Sequence, residues 1–158
     1  HKERSVQMTD IIIRYATLDD FPRVKLLLQR CHLSTEGLFE PGTQCWLIEE
    51  FGKQAIVGVA AVEFGDTSAL LRSVGIDPAF RKQGLGGALT TTAFEGCRMA
   101  GRNIVYCFST GAGSYWQRFG FREVPVSEVA HALPNSPQLI YFERVGWLPT
   151  EIAWRKDL

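Results

Sequence analysis

The chain is expected to fold as an α/β domain on a mixed, mostly antiparallel sheet. Three observations carry that expectation. Cys45-Trp46-Leu47-Ile48-Glu49 and the run from Ala55 to Phe64 are apolar and joined by Phe51-Gly52-Lys53-Gln54, the pattern of a hairpin. Leu70 to Leu89 reads as an apolar strand, a Pro-marked turn, a Gly-rich basic loop and a helix. The remainder continues as strand, helix, strand, so that hairpin pairing and helical crossovers share one sheet.

Taken in order, Ile11-Ile12-Ile13-Arg14-Tyr15 is a short β-branched strand. Thr17-Leu18-Asp19-Asp20 caps a helix whose apolar face is Phe21, Val24, Leu27 and Leu28, with Pro22 tolerated in its first turn. Leu33 to Leu38 is a polar, Gly-containing connection. After the hairpin, Gly65-Asp66-Thr67-Ser68 turns the chain into a strand from Ala69 to Ile76. A helix is expected from about Gly84 to Ala100, stopped by Gly101, then a strand from Asn103 to Phe108. Ser114 to Phe119 is a short helix ended by Gly120, and Phe121 to Val124 a further strand. Helical turns are expected near Ser127–Ala132 and Gln138–Val145, with Glu151-Ile152-Ala153-Trp154-Arg155 as the closing strand.

The 158 residues, 46% hydrophobic and 22% charged, suit one globular domain. We assign that domain to residues 8–158 and read His1 to Gln7, polar and unpatterned, as an expression remnant ahead of Met8. A formal net charge of zero argues against a general nucleic-acid or anionic-membrane surface. The scattered Cys31, Cys45, Cys97 and Cys107 fit buried thiols in a reduced, cytoplasmic setting. His32 and His131 have no metal-ligand spacing, so no metal is expected.

The loop in Leu70–Leu89 is the richest signal. Bare N–H groups and the positive dipole end make a helix start a seat for phosphate, and glycines let a ligand approach the backbone. Arg81 and Lys82 add charge beside it. A Walker A loop is excluded, because no Gly-Lys-Ser/Thr closes it. A dinucleotide fingerprint is excluded by Leu89, which stands where its third small residue belongs, and by the intervening Asp77 to Gln83. The run Val74-Gly75-Ile76-Asp77-Pro78-x-Phe80-Arg81-x-x-Gly84-x-Gly86 instead resembles the acetyl-CoA motif of the GCN5-related N-acetyltransferase superfamily. Ser114-Tyr115-Trp116-Gln117-Arg118-Phe119-Gly120-Phe121 resembles its second landmark. More narrowly, Gly65-Asp66, Ala69 to Ser73, Leu33 to Leu38 and Pro149 to Lys156 are similar to segments of amino-acid N-acetyltransferases from arsenical-resistance operons, including phosphinothricin-type enzymes. They are also similar, more faintly, to the acetyltransferase domain of N-acetylglutamate synthases.

The resemblance implies a GNAT fold of about six or seven strands and about four helices, with the fourth and fifth strands splayed. It implies acetyl-CoA as co-substrate, and admits a homodimer without locating an interface. The pantetheine would pair with backbone of Val74 and Ile76. The pyrophosphate would rest on Gln83, Gly84, Leu85, Gly86 and Gly87 beside Arg81 and Lys82, with Trp116 also at the cofactor. Family members often carry a base on the fourth strand, where this chain has Leu70, and an acidic Tyr where it has Trp116. Tyr115, next door, is the candidate acid, and the Val74 N–H the candidate oxyanion donor.

Arg72, a charge in an apolar strand, is expected to face the acceptor on the same side as Leu70 and Val74 and to grip an anionic group. The alternative is an internal ion pair with Glu63 or Asp66. Ser109 and Thr110 end a strand beside the cleft, and Thr35 and Glu36 are candidate pocket caps. The expected acceptor is a small acidic amino-acid-like amine. Alternatives are another amine (polyamine, aminoglycoside or peptide N-terminus) or a non-catalytic acetyl-CoA sensor, and Arg72 in the cleft would argue against a polycation.

Overall fold

The computed structural model describes residues 10–158, so the expectations for His1 to Gln7 and Met8 fall outside the described residues. The strands are β1 (Ile11–Tyr15), β2 (Thr43–Glu50), β3 (Ile56–Phe64), β4 (Ser68–Ile76), β5 (Ile104–Phe108), β6 (Arg122–Val124) and β7 (Ala153–Asp157). The helices are α1 (Phe21–Arg30), α2 (Leu85–Met99), α3 (Gly113–Arg118), α4 (Val126–Ala132) and α5 (Pro137–Arg144). One seven-stranded sheet runs β1-β2-β3-β4-β5-β7-β6. Every pairing is antiparallel except β4 with β5. No helix among the described residues is long and apolar enough to cross a membrane.

The sheet is covered on both faces. Leu85, Leu89, Ala93 and Cys97 recur every four residues along α2 and bury against Trp46, Ile48, Val57, Ala60, Val62 and Leu71. A fully buried leucine contributes about 1.5–3 kcal/mol in such a seam. On the other face α1 buries Val24, Leu27 and Leu28 against Leu47, Val59 and Ala61. Val129 of α4 and Leu139 of α5 close over Leu70 and Tyr106 on that side.

Two departures from regular pairing shape the cleft. β4 and β5 are paired only from Ser68↔Ile104 to Leu70↔Tyr106, so β4 runs on from Leu71 to Ile76 with no strand on that edge. This is the expected splay. Opposite, the β3–β4 register slips between Val59↔Gly75 and Ala61↔Arg72, leaving two β4 residues, Ser73 and Val74, against Ala60. Ser73 takes φ 58°, a left-handed conformation that costs a non-glycine residue about 1–2 kcal/mol. The bulge resets the side-chain alternation. Arg72 stays on the face of Leu70, but Val74 and Ile76 turn to the α2 side. The expectation that Arg72 and Val74 share a face is therefore corrected.

The closing strand also starts later than expected, at Ala153. Leu148–Thr150 form a 3-10 turn, and Glu151 and Ile152 precede the strand rather than begin it.

Candidate active site

Where β4 and β5 part, two hollows meet. The first is a groove of about 530 Å³ lined by the β4 edge from Val74 to Ile76, by Phe80, Arg81 and Lys82, by Gly84 to Gly87, and by Tyr115, Trp116 and Arg118. Its floor is the start of α2. Gly84 precedes the helix at φ 79° with nothing within 4 Å of where its Cβ would be, and Gly84 to Gly87, at the helix start where N–H groups lack intrahelical partners, line the groove. Lys82, also left-handed at φ 64°, completes the bend. The residues present fit a pyrophosphate: a helix start, small residues and flanking cations.

Around this groove several side chains take positions the sequence left undetermined. Arg81 Nε donates to the Ile76 carbonyl at 3.1 Å, folding the guanidinium back over the end of β4. Trp116 is buried and packs edge-on against Phe121, so it is wall as well as core. The Tyr115 hydroxyl lies 3.2 Å from the place a Gly86 Cβ would occupy, beside the first turn of α2. That puts it in the groove, beside the glycine-rich start of α2, and not among the residues of the second hollow. Arg118, which sequence reasoning passed over, lines the groove with its guanidinium 5.7 Å from the Tyr115 ring centre. Its spacing of three from Tyr115 on one helix was the available signal.

The second hollow, about 360 Å³, shares Leu33 and Ala112 with the groove. Ser34, Arg72 and Ser73 form one side, and Ser109, Thr110, Gln138, Phe142, Trp147 and Glu151 the other. Ser109 and Thr110 are thus at the cleft end of β5. The Ser109 Oγ accepts from Ala112 N–H at 3.2 Å, and its carbonyl accepts from Trp154 Nε1 at 2.9 Å. Thr35 and Glu36 line an outer recess instead, and the Glu36 carboxylate pairs with Arg144 at 3.4 Å.

Arg72 touches this hollow only by its edge. Its side chain is 0% exposed and donates from Nη1 to Glu63 Oε2 (2.8 Å) and the Glu36 carbonyl (2.6 Å), from Nη2 to the Ser34 carbonyl (3.2 Å), and from Nε to Ser73 Oγ (3.0 Å). The internal ion pair, one of the two readings of Arg72, is therefore formed, and the guanidinium is committed to protein acceptors. Glu63 is buried with it and also accepts from Ser136 Oγ and the Gln138 N–H. The network ties the 34–36 segment and the start of α5, both walls of the hollow, to the sheet.

Leu70, at the place of a strand-borne base, is fully buried. The sequence reading missed Glu151, whose carboxyl lines the hollow and is pushed above the ordinary carboxylate range by burial. It was read as the first residue of a strand, and only the turn before it shows otherwise. Cys97 and Cys107 are buried, and burial pushes the Cys97 thiol up to about 11 and the Cys107 thiol up further, so neither is a nucleophile at neutral pH.

Comparison with known proteins agrees with this geometry. A search of curated proteins by sequence returned no significant match. Among solved structures, Rv2747 from Mycobacterium tuberculosis, in complex with CoA and NLQ, superposes with a TM-score of 0.72 at 21% identity, covering 93% of this chain and 99% of that one. N-acetylglutamate synthase from Neisseria gonorrhoeae, complexed with coenzyme A and N-acetyl-glutamate, gives 0.73 at 17% identity over 94% of this chain, which spans 35% of that protein. The ribosomal-protein-S18-alanine N-acetyltransferase from Escherichia coli gives 0.63 at 17% identity, covering 73% and 79%. These likenesses concern the fold. The acetyltransferase (GNAT) domain family model matches residues 41–123, from the second strand through the phosphate seat to the sixth, and the chain belongs to that family.

Proposed function

We propose that the chain transfers acetyl from acetyl-CoA to the amine of a small, amino-acid-like acceptor. The observation that carries this reading is the junction of the 530 Å³ groove with the 360 Å³ hollow at the point where β4 and β5 part. Acetyl-CoA suits the groove. Gln83, Gly84, Leu85, Gly86 and Gly87 would hold its pyrophosphate by backbone N–H groups, beside Arg81, Lys82 and Arg118. The strand-free β4 edge at Val74 and Ile76 would hold its pantetheine. When bound it supplies an activated thioester. The Val74 N–H is the proposed donor to the oxyanion, and Ser109 and Thr110 are the proposed acceptor contacts.

The finer reading is an acidic amino acid, glutamate or a phosphinic or arsinic analogue. It draws support from the fold shared with N-acetylglutamate synthase and from the donors in the hollow: the Gln138 amide and the Ser109 and Thr110 hydroxyls. A second reading, a cationic amine such as a polyamine, is favoured by the burial of Arg72 and the presence of Glu151 in the same hollow. The four unpaired thiols support a cytoplasmic setting for either.

Free-thiol release from acetyl-CoA, measured across glutamate, its phosphinic and arsinic analogues, polyamines, an aminoglycoside and short peptides, tests both. A response confined to acidic amino acids supports the finer reading. A response to polyamines supports the second. Silence across the panel with acetyl-CoA bound would make the chain a sensor and overturn the enzymatic reading.

A further inference from the structure

We propose that Glu151 is the proton acceptor for the substrate amine, acting from the wall of the acceptor hollow that lies across the cleft from β4. The inference deepens the acetyltransferase reading and rests on it.

The position follows from the backbone. The Leu148–Thr150 turn ends at Glu151, whose N–H donates to the Leu148 carbonyl at 3.1 Å. The next carbonyl, of Ile152, accepts from Ser109 N–H at 2.9 Å, continuing the β5–β7 register. Glu151 therefore stands beside Thr110, just past the end of β5, where the sheet opens. Its side chain lines the hollow with Ser109, Thr110, Phe142 and Trp147.

The surroundings leave that carboxylate for a ligand. Glu36, Glu49, Glu63 and Glu128 each pair with an arginine, whereas Glu151 has no ion pair or side-chain hydrogen bond among the described residues. The other charged or titratable groups at the hollow are Arg72 of β4, spent on Glu63 and backbone carbonyls, and His32 at its rim. β5 presents the Phe108 ring, the segment after it the Ser109 and Thr110 hydroxyls, and α5 an amide and an aromatic ring. A half-buried carboxylate with no cation is a cost, and it suits a site where an ammonium arrives. Phe108, Phe142 and Trp147 line the same hollow, with ring centres 5.8 and 5.6 Å apart in succession, and aromatic faces attract a cation. Their apolar bulk also favours the neutral products of proton transfer, the free amine and the carboxylic acid, over the charged pair.

In the step, an N–H bond of the ammonium breaks and its proton passes to a Glu151 oxygen. The freed nitrogen lone pair forms the C–N bond at the thioester carbon, the C–S bond breaks, and one of the two protons still on nitrogen passes to the thiolate to give free CoA thiol, the other staying on the amide. Glu151 then returns its proton to solvent, so that ammonium plus acetyl-CoA yields amide, CoA thiol and one proton.

The test compares the wild type with Glu151→Gln and Glu151→Asp, using an amine that the wild type acetylates, between about pH 6 and pH 10. Acetyl-CoA binding by calorimetry and the thermal midpoint are measured alongside. Glu151→Gln is expected to bind acetyl-CoA within about two-fold of wild type and to melt no lower at pH 7, since it removes a charge that burial penalises. Its kcat/KM at pH 7 should fall by about 10²–10⁴, with the loss in kcat. Rate should return as the pH approaches the amine's own pKa, and Glu151→Asp should retain part of it. A loss confined to KM would make Glu151 a grip for the ammonium and overturn its role as base, as would unchanged kinetics. Wild-type silence toward every amine would overturn the acetyltransferase reading itself, a failure visible without any variant.

Discussion

Arg72 and Glu63 form a buried ion pair across the β3–β4 ladder, Nη1 to Oε2 at 2.8 Å, with side chains 0% and 3% exposed. The register pairs Ala61 with Arg72 and Glu63 with Leu70, so the two are diagonal neighbours on one face of the sheet. That face carries the 360 Å³ hollow, and the pair anchors both of its walls.

Breaking the pair from one side should therefore cost both stability and acceptor affinity. Arg72→Ala leaves Glu63 buried and uncompensated, and is expected to lose about 3–5 kcal/mol in urea denaturation. Replacing both partners with methionine should recover only part of that loss, because the Ser34 and Glu36 carbonyls, the Ser136 hydroxyl and the Gln138 N–H still lose their partners. The double variant should keep acetyl-CoA affinity but show a raised acceptor KM, because the 34–36 segment is no longer tethered. A loss below about 1 kcal/mol for Arg72→Ala would mean the pair is not a structural clamp.

The Tyr115 hydroxyl, held at the first turn of α2, is expected to serve the co-substrate rather than the leaving thiol. Tyr115→Phe should raise the acetyl-CoA KM several-fold and change kcat by less than about ten-fold, whereas a general acid contributes about 10²–10⁴. Steady-state kinetics with acetyl-CoA varied distinguishes the two. A hundred-fold fall in kcat would restore Tyr115 as the acid.

Asp20, buried at the start of α1, accepts from Arg14 at 2.8 and 2.9 Å, from Arg23 at 2.6 Å and from the Thr17 N–H at 2.8 Å. Its hydrogen bonds to Arg14, above all, hold its carboxyl well below the usual carboxylate range. With the folded pKa depressed, the stabilisation is fully present above the unfolded value near pH 4 and is lost as the pH falls below it toward the folded one. Asp20→Asn should cost about 2 kcal/mol at neutral pH, allowing for the partial exposure of both arginines. The gap to wild type should narrow as the pH falls below about 4. Thermal melts at pH 7 and pH 3 check this, and a gap independent of pH would reject the ionic assignment.

Cys31 is the half-buried member of the four cysteines and lines the 530 Å³ groove proposed for acetyl-CoA. Burial pushes the Cys45 thiol up to about 12. An alkylating agent at neutral pH should modify Cys31 first, and acetyl-CoA should slow that reaction by about ten-fold or more at saturation. Cys31→Ser should retain turnover. Its loss would point to an acyl-cysteine intermediate.

The glycine-rich loop at the start of α2, the hairpin and the order of strands and helices are local in origin, and the sequence alone determined them. Glycines at Gly84 and Gly86, Pro78 at the turn and the four-residue spacing along α2 each act through neighbouring backbone, so their pattern survives in one dimension. Hence Leu85–Met99 forms nearly as the sequence predicts. The acceptor side was decided only by tertiary structure. Alternation predicts a face only while the register holds, and the Ser73 bulge, which exists through the pairing of β4 with β3, sent Val74 to the opposite face from Arg72. Whether Arg72 met Glu63 or a substrate depended on how residues distant in the chain approach it, from Ser34 to Gln138. Glu151 left its expected strand because the turn at Leu148–Thr150 precedes it, and the chain's fold then put it in the hollow. Local chemistry wrote the glycine-rich helix start, and long-range packing chose which charges face the hollow.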